Sequence, residues 1–168
     1  FGSWSTGVAW STIKVPLAIA ALRADRARAE PLVVKAITAS DNRAAAQLWT
    51  QLGPAAQAAR QVQRVIRESG DGTTVVQMRR LRPGFSAFGQ TPWALNSQAR
   101  FAAHLPCLSD TTVLDLMHRL VDEQRWGLAA QGAAAKGGWG PTGTGGYLVR
   151  QFGVMPNGPA KLGVALAA

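Results

Sequence analysis

The hydrophobic rhythm of the chain changes once, at Gly132, and this change limits the fold more than any other feature. Before it, apolar residues recur at helical spacing. After it come three short apolar stretches, 133–138, 147–155 and 162–167, separated by Pro141-Thr142-Gly143-Thr144-Gly145-Gly146 and Pro156-Asn157-Gly158-Pro159. Apolar stretches cut by such turn residues predict an antiparallel three-strand meander. A sheet with helices packed on it follows, rather than an all-helical bundle. With 168 residues, 47% of them hydrophobic and 16% charged, the chain can bury a sizeable core, which excludes disorder. Its glycines follow no three-residue period and no heptad persists, which excludes collagen and coiled coil. No apolar run approaches the roughly 20 residues needed to span a bilayer, and no internal repeat is visible.

The helical part divides at its breakers. Ile13, Leu17, Ala20 and Ala21 place a helix over 11–29, with Pro16 early enough for the first turn to tolerate it, and Pro31 then restarts the chain. Residues 32–38 run into Ser40-Asp41-Asn42, which favour turns and caps. Helices are predicted over 43–52, closed by Gly53, and over 54–68, closed by Gly70 before the turn at Asp71-Gly72. From 73 to 90 the sequence is irregular and basic, which predicts a long surface loop. Thr91 then reads as a cap with Pro92 at the first helical position, opening a helix that Pro106 stops, and Ser109 or Asp110 caps another through about Gln124.

Composition excludes several functions. Lys plus Arg number 18 against 9 acidic residues, a net charge of +9, but the cations are scattered apart from a cluster at Arg79, Arg80 and Arg82. Nucleic-acid binding needs cations on one face with interleaved aromatics, so a solvated basic surface is the better reading. Cys107 is alone, so no internal disulfide or thiolate metal cluster forms. His104 and His118 fall on separate helices without a metal-ligand pattern. Gly138-x-Gly140-x-x-Gly143 precedes a strand, whereas a dinucleotide site needs it to open a helix. No cofactor or metal is called for. Trp49, Trp93 and Trp126 read as core anchors, and Trp139 as lining a cleft.

The chemistry gathers at the first helix. Ser11 and Lys14 are three residues apart, so they share a face with Cβ atoms roughly 5–6 Å apart. Ile13, Val15 and Leu17 surround the lysine with apolar side chains, which lowers its pKa and lets it accept the serine proton. The Ser11 amide lies at a helix N-terminus, where unpaired N–H groups favour an oxyanion.

Ser11-Thr12-Ile13-Lys14, then Ser40-Asp41-Asn42, then Lys136-Gly137-Gly138 stand in the order S-x-x-K, S-D-N, K-T-G. In this the chain resembles the serine β-lactamase and penicillin-binding family, and class A in particular. The resemblance extends to residues 10–17, to Gln90-Thr91-Pro92-Trp93-Ala94-Leu95, and to Arg125-Trp126-Gly127-Leu128 with Gly145-Gly146-Tyr147. It implies a two-lobe fold, α/β plus all-α, with an antiparallel sheet and packed helices. Residues 1–30 and 108–168 would form the α/β lobe and 31–107 a reduced helical lobe. It further implies Ser11 as the acylated nucleophile, Lys14 as general base, and Ser40 as proton relay to the leaving nitrogen. Asn42 would bind the substrate's side-chain amide and Lys136 would supply charge near the substrate carboxylate. Gly137 and Gly138 would bring the Trp139 amide to the oxyanion hole. The implied substrate is a β-lactam or a cell-wall peptide, the implied location extracytoplasmic, and neither nucleic acid nor a membrane span is expected.

Three departures qualify what the resemblance implies. Gly137 replaces the usual Thr or Ser and removes a hydroxyl, for which Thr142 and Thr144 are candidate substitutes. The family's two N-terminal strands and C-terminal helix are absent, so truncation at both ends is expected, with an exposed sheet face open to a partner such as a second copy. Class A enzymes activate water with an omega-loop glutamate, yet residues 73–90 contain no Glu or Asp. Acylation with weak deacylation is therefore expected. The alternative is a catalytically impaired pseudoenzyme, or a cell-wall-binding or interaction module, on the same scaffold.

Overall fold

The structure, a computed structural model, describes residues 4–108, 111–143, 145–158 and 160–168. The caps expected at Ser109 and Asp110, and Thr144, lie outside the described residues.

The first helical segment begins as a tight 3-10 turn, Trp10–Ile13, and continues as α1, Lys14–Ala24. The expected single helix to residue 29 is broken at Asp25, which is extended and accepts from the Arg28 amide, capping α2, Arg26–Thr38. Pro31 does not restart the chain. It sits inside α2 on the exposed side, where water replaces the missing hydrogen bond. Ser40 and Asp41 form the turn before α3, Asn42–Gln51, and the Asp41 carboxylate accepts from the Ala44 amide at 2.8 Å. Gly53 and Gly70, at φ 99° and 81°, follow α3 and α4 (Ala55–Glu68) as left-handed stops.

The stretch after the loop departs from expectation. Pro92–Ala94 is a short strand, β2, paired antiparallel with β1, Thr6–Val8, and helix α5 starts only at Leu95 and runs through Pro106 to Leu108. Thr91 does not cap a helix: its hydroxyl donates to the Phe88 carbonyl and accepts from the Gln77 amide, closing the preceding loop. Helix α6, Thr112–His118, is shorter than predicted, ending well before Gln124. The predicted meander is present as β3 (Ala134–Pro141), β4 (Tyr147–Asn157) and β5 (Ala160–Ala167), antiparallel in the order β3-β4-β5.

Helices α1, α2, α4 and α5 bury their apolar faces in one core with Trp93, Phe101 and Phe152, whose rings meet edge to face at 5.4–5.8 Å. The other sheet face carries a small cluster of Leu128, Ala133 and Ala135 with Met155, Val164 and Leu166. Between strands and helices lies the fully buried Arg150. It makes five hydrogen bonds, two to Gln98 Oε1 and one each to the carbonyls of Gly7, Val8 and Trp93. Gln98 in turn donates to Thr12 Oγ1 at 2.7 Å, and Thr12 donates to the Ala9 carbonyl, so this polar chain from β4 ends at the turn that carries Ser11. No helix is long and apolar enough to cross a membrane among the described residues.

Candidate active site

Three separate elements deliver the side chains singled out above to one place. Lys14 opens α1 and is almost wholly buried, its Nζ donating to the Ser40 carbonyl, to Ser40 Oγ at 3.2 Å and to Asn42 Oδ1 at 2.7 Å. Lys136 of β3 is completely buried and donates to the same Ser40 Oγ at 2.9 Å and to the Gly137 carbonyl at 3.1 Å. Ser40 thus bridges two lysines. Ser11 is half-buried one turn before Lys14, and its hydroxyl makes no hydrogen bond among the described residues.

Two backbone positions hold this arrangement. Trp10 and Ser40 are the non-glycine residues with positive φ among those described, at 51° and 56°. Each conformation costs about 1–2 kcal/mol. At Trp10 it turns the chain into the Ser11 turn, and at Ser40 it aims carbonyl and hydroxyl together at Lys14. Gly138 lies so close that a Cβ there would sit 2.7 Å from the Ser11 nitrogen. A residue with a side chain would push β3 away from Ser11.

The electrostatics follow from burial. Desolvation lowers the Lys14 pKa to about 8, partly opposed by the Asp41 carboxylate. Burial, followed by the charge of Lys14, pulls Lys136 well below the normal lysine range. Two amines sharing one hydroxyl do not both stay charged without cost.

Ser11, Lys14 and Asn42 line a cavity of about 350 Å³ together with Arg80, Phe85, Ser86, Phe88, Gly89 and Trp139. Among the described residues no Asp or Glu lines it. The carboxylates nearest the loop in sequence are engaged elsewhere: Glu68 pairs bidentately with Arg23, and Asp71 accepts from Thr73, Thr74 and Trp93 Nε1. Asp71 has a lowered pKa, because these hydrogen bonds outweigh a burial that would raise it.

Gly137 has a spatial cause. A Cβ there would lie 2.4 Å from Trp126 Cζ2, so the indole fills the volume a threonine would need. Trp126 is accordingly not a core anchor: it is half-buried against β3, edge-on to Trp139 at 6.0 Å. Trp93 is fully buried in the core, Trp49 packs against it in part, and Trp139 is 40% exposed at the cavity. Thr142 is absent from the cavity lining and accepts from the Gly146 amide.

Sequence reasoning missed the loop wall, Arg80 above all, which it read as part of a solvated basic cluster. Among the described residues no group of three His, Cys, Asp or Glu is arranged to hold a metal ion.

No family model and no curated protein sequence matches the chain. Solved structures do. A class A β-lactamase from Mycobacterium abscessus superposes with TM-score 0.73 at 17% identity over 98% of this chain and 77% of its own. The β-lactamase of Sphaerobacter thermophilus gives 0.67 at 20% identity over 96% and 74%. A variant of the last common ancestor of Gram-negative class A β-lactamases gives 0.70 at 18% identity over 96% and 75%. The chain is shorter than these neighbours, and at such identities the likeness is one of architecture. The six α-helices and the antiparallel sheets of the described residues therefore make up a class A β-lactamase-like fold.

Proposed function

We propose that the protein is a serine acyl-enzyme hydrolase or acyltransferase of β-lactamase type, acting on a β-lactam or peptide-like amide outside the cytoplasm. The observation that carries this reading is Ser40 Oγ held between the Nζ atoms of Lys14 and Lys136, beside a cavity into which Ser11 opens. In the neutral form Lys14 takes the Ser11 proton as Oγ attacks the carbonyl carbon. The amides of Ser11 and Trp139 receive the oxyanion, and the close approach of Gly138 to the Ser11 nitrogen supports that pairing. As the C–N bond breaks, Ser40 passes a proton to the departing nitrogen, with the lysines as its source. Asn42 holds the substrate's side-chain amide.

The product is an ester on Ser11. Its release needs a base to deprotonate water, and the cavity wall offers Arg80 instead of a carboxylate. The ester is therefore long-lived.

Incubation with a fluorescent penicillin followed by intact-mass spectrometry is the direct test. One adduct on Ser11, stable for many minutes and absent in Ser11→Ala, is expected. Absence of any adduct in the unmodified protein would leave a binding module on the same scaffold as the better account.

A further inference from the structure

Arg80 has no hydrogen-bond or ion-pair partner among the described residues, although it lines the same cavity as Ser11, Lys14 and Asn42. Its neighbours in the basic cluster are placed differently. Arg82 donates to the carbonyls of Pro141 and Thr142 and lies 5.2 Å from the ring centroids of both Trp10 and Phe85. Arg79 lines a separate open groove of about 760 Å³ with Arg60 and Gln63. Of the three, Arg80 is the one that lines the cleft, solvent-exposed and without a hydrogen-bond or ion-pair partner among the described residues.

An unpaired guanidinium against aromatic walls is a strong reader of planar anions, because its fork matches a carboxylate and the low-dielectric wall concentrates its field. Here the wall includes Phe85 and Phe88, a second basic group, Lys14, lines the same cavity, and among the described residues no carboxylate lines it, Asp41 acting on Lys14 from outside the lining. A neutral ligand would leave the two basic groups without an anion in the cavity. We propose that the cleft selects acyl donors bearing a second carboxylate, on the acyl side chain, and that Arg80 is the residue that reads it. This deepens the acyl-enzyme reading and rests on it: with Asn42 on the side-chain amide, the group reaching onward to Arg80 belongs to the acyl side.

The probes are benzylpenicillin and its analogue carrying a carboxylate on the benzylic carbon, which differ by that one group. Binding is measured by titration calorimetry on the Ser11→Ala protein, where no ester forms. The carboxylated probe is expected to bind about fivefold or more tightly than its parent, with the ratio falling to about one when Arg80→Ala is added. Arg80→Lys should keep part of the preference, and Arg79→Ala, on the other groove, all of it. A ratio near one in the Ser11→Ala protein, a ratio untouched by Arg80→Ala, or no binding of either probe would each overturn the proposal. Acylation of the unmodified protein is read separately by mass. A missing adduct with the binding preference intact would remove the acyl-transfer reading and leave Arg80 as an anion reader.

Discussion

At the scale of single residues, Lys14 decides when the site can react. Its amine must be neutral to take the Ser11 proton, and burial, less the opposing effect of Asp41, brings its pKa to about 8. Below that value the neutral fraction rises about tenfold per pH unit, and above it the fraction saturates. Acylation of Ser11 is therefore expected to climb from pH 6 to 8 and level off, as followed by adduct formation against time. Because the Asp41 charge raises the lysine pKa, Asp41→Asn should move the midpoint lower. A rate that is flat from pH 6 to 9 would exclude Lys14 as the base.

At the scale of elements, β3 and the segment before it are fitted to each other through Gly137 and Trp126. Gly137→Thr should destabilise the protein by about 1–3 kcal/mol, since the new side chain enters the space of the indole. Trp126→Ala in the same chain should recover part of that loss, and thermal melts of the two singles and the double would show strong coupling. Additive losses would mean that the two positions do not compete for one volume. The same scale shows what a sequence can disclose. Helices α3 and α4 and the meander were legible because glycines, prolines and turn residues mark their ends. The pairing of β1 with β2 was not, because three-residue strands are too short to show a period. Pro31 and Pro106 misled because both lie on exposed helix sides, where solvent substitutes for the lost backbone donor. Of the site, the motif triplets were readable. Arg80 was not, because nothing in a cluster of three arginines tells which one lines the cavity.

At the scale of the molecule, two buried lysines set a pH dependence of folding. The folded state lowers the Lys14 pKa from 10.5 to about 8, so between those values the unfolded chain holds more protons and stability rises with pH. Lys14 alone accounts for about 3 kcal/mol across that window, and Lys136, whose pKa burial also lowers, acts in the same direction. Denaturant titrations at pH 7 and pH 10 should show the gain, and Lys14→Met should shrink it. Stability that falls over this range would contradict the burial of both amines.

Arg150 has a consequence for how the molecule can come apart. Its four acceptors come from residues 7, 8, 93 and 98, stretches that meet only in the finished fold. Peeling away any one of them strands a dehydrated positive charge with donors pointing at nothing, which is costlier than leaving all of them joined. That corner has no gradual route to fraying: the amino-terminal strand, the start of α5 and the middle of β4 let go in a single event.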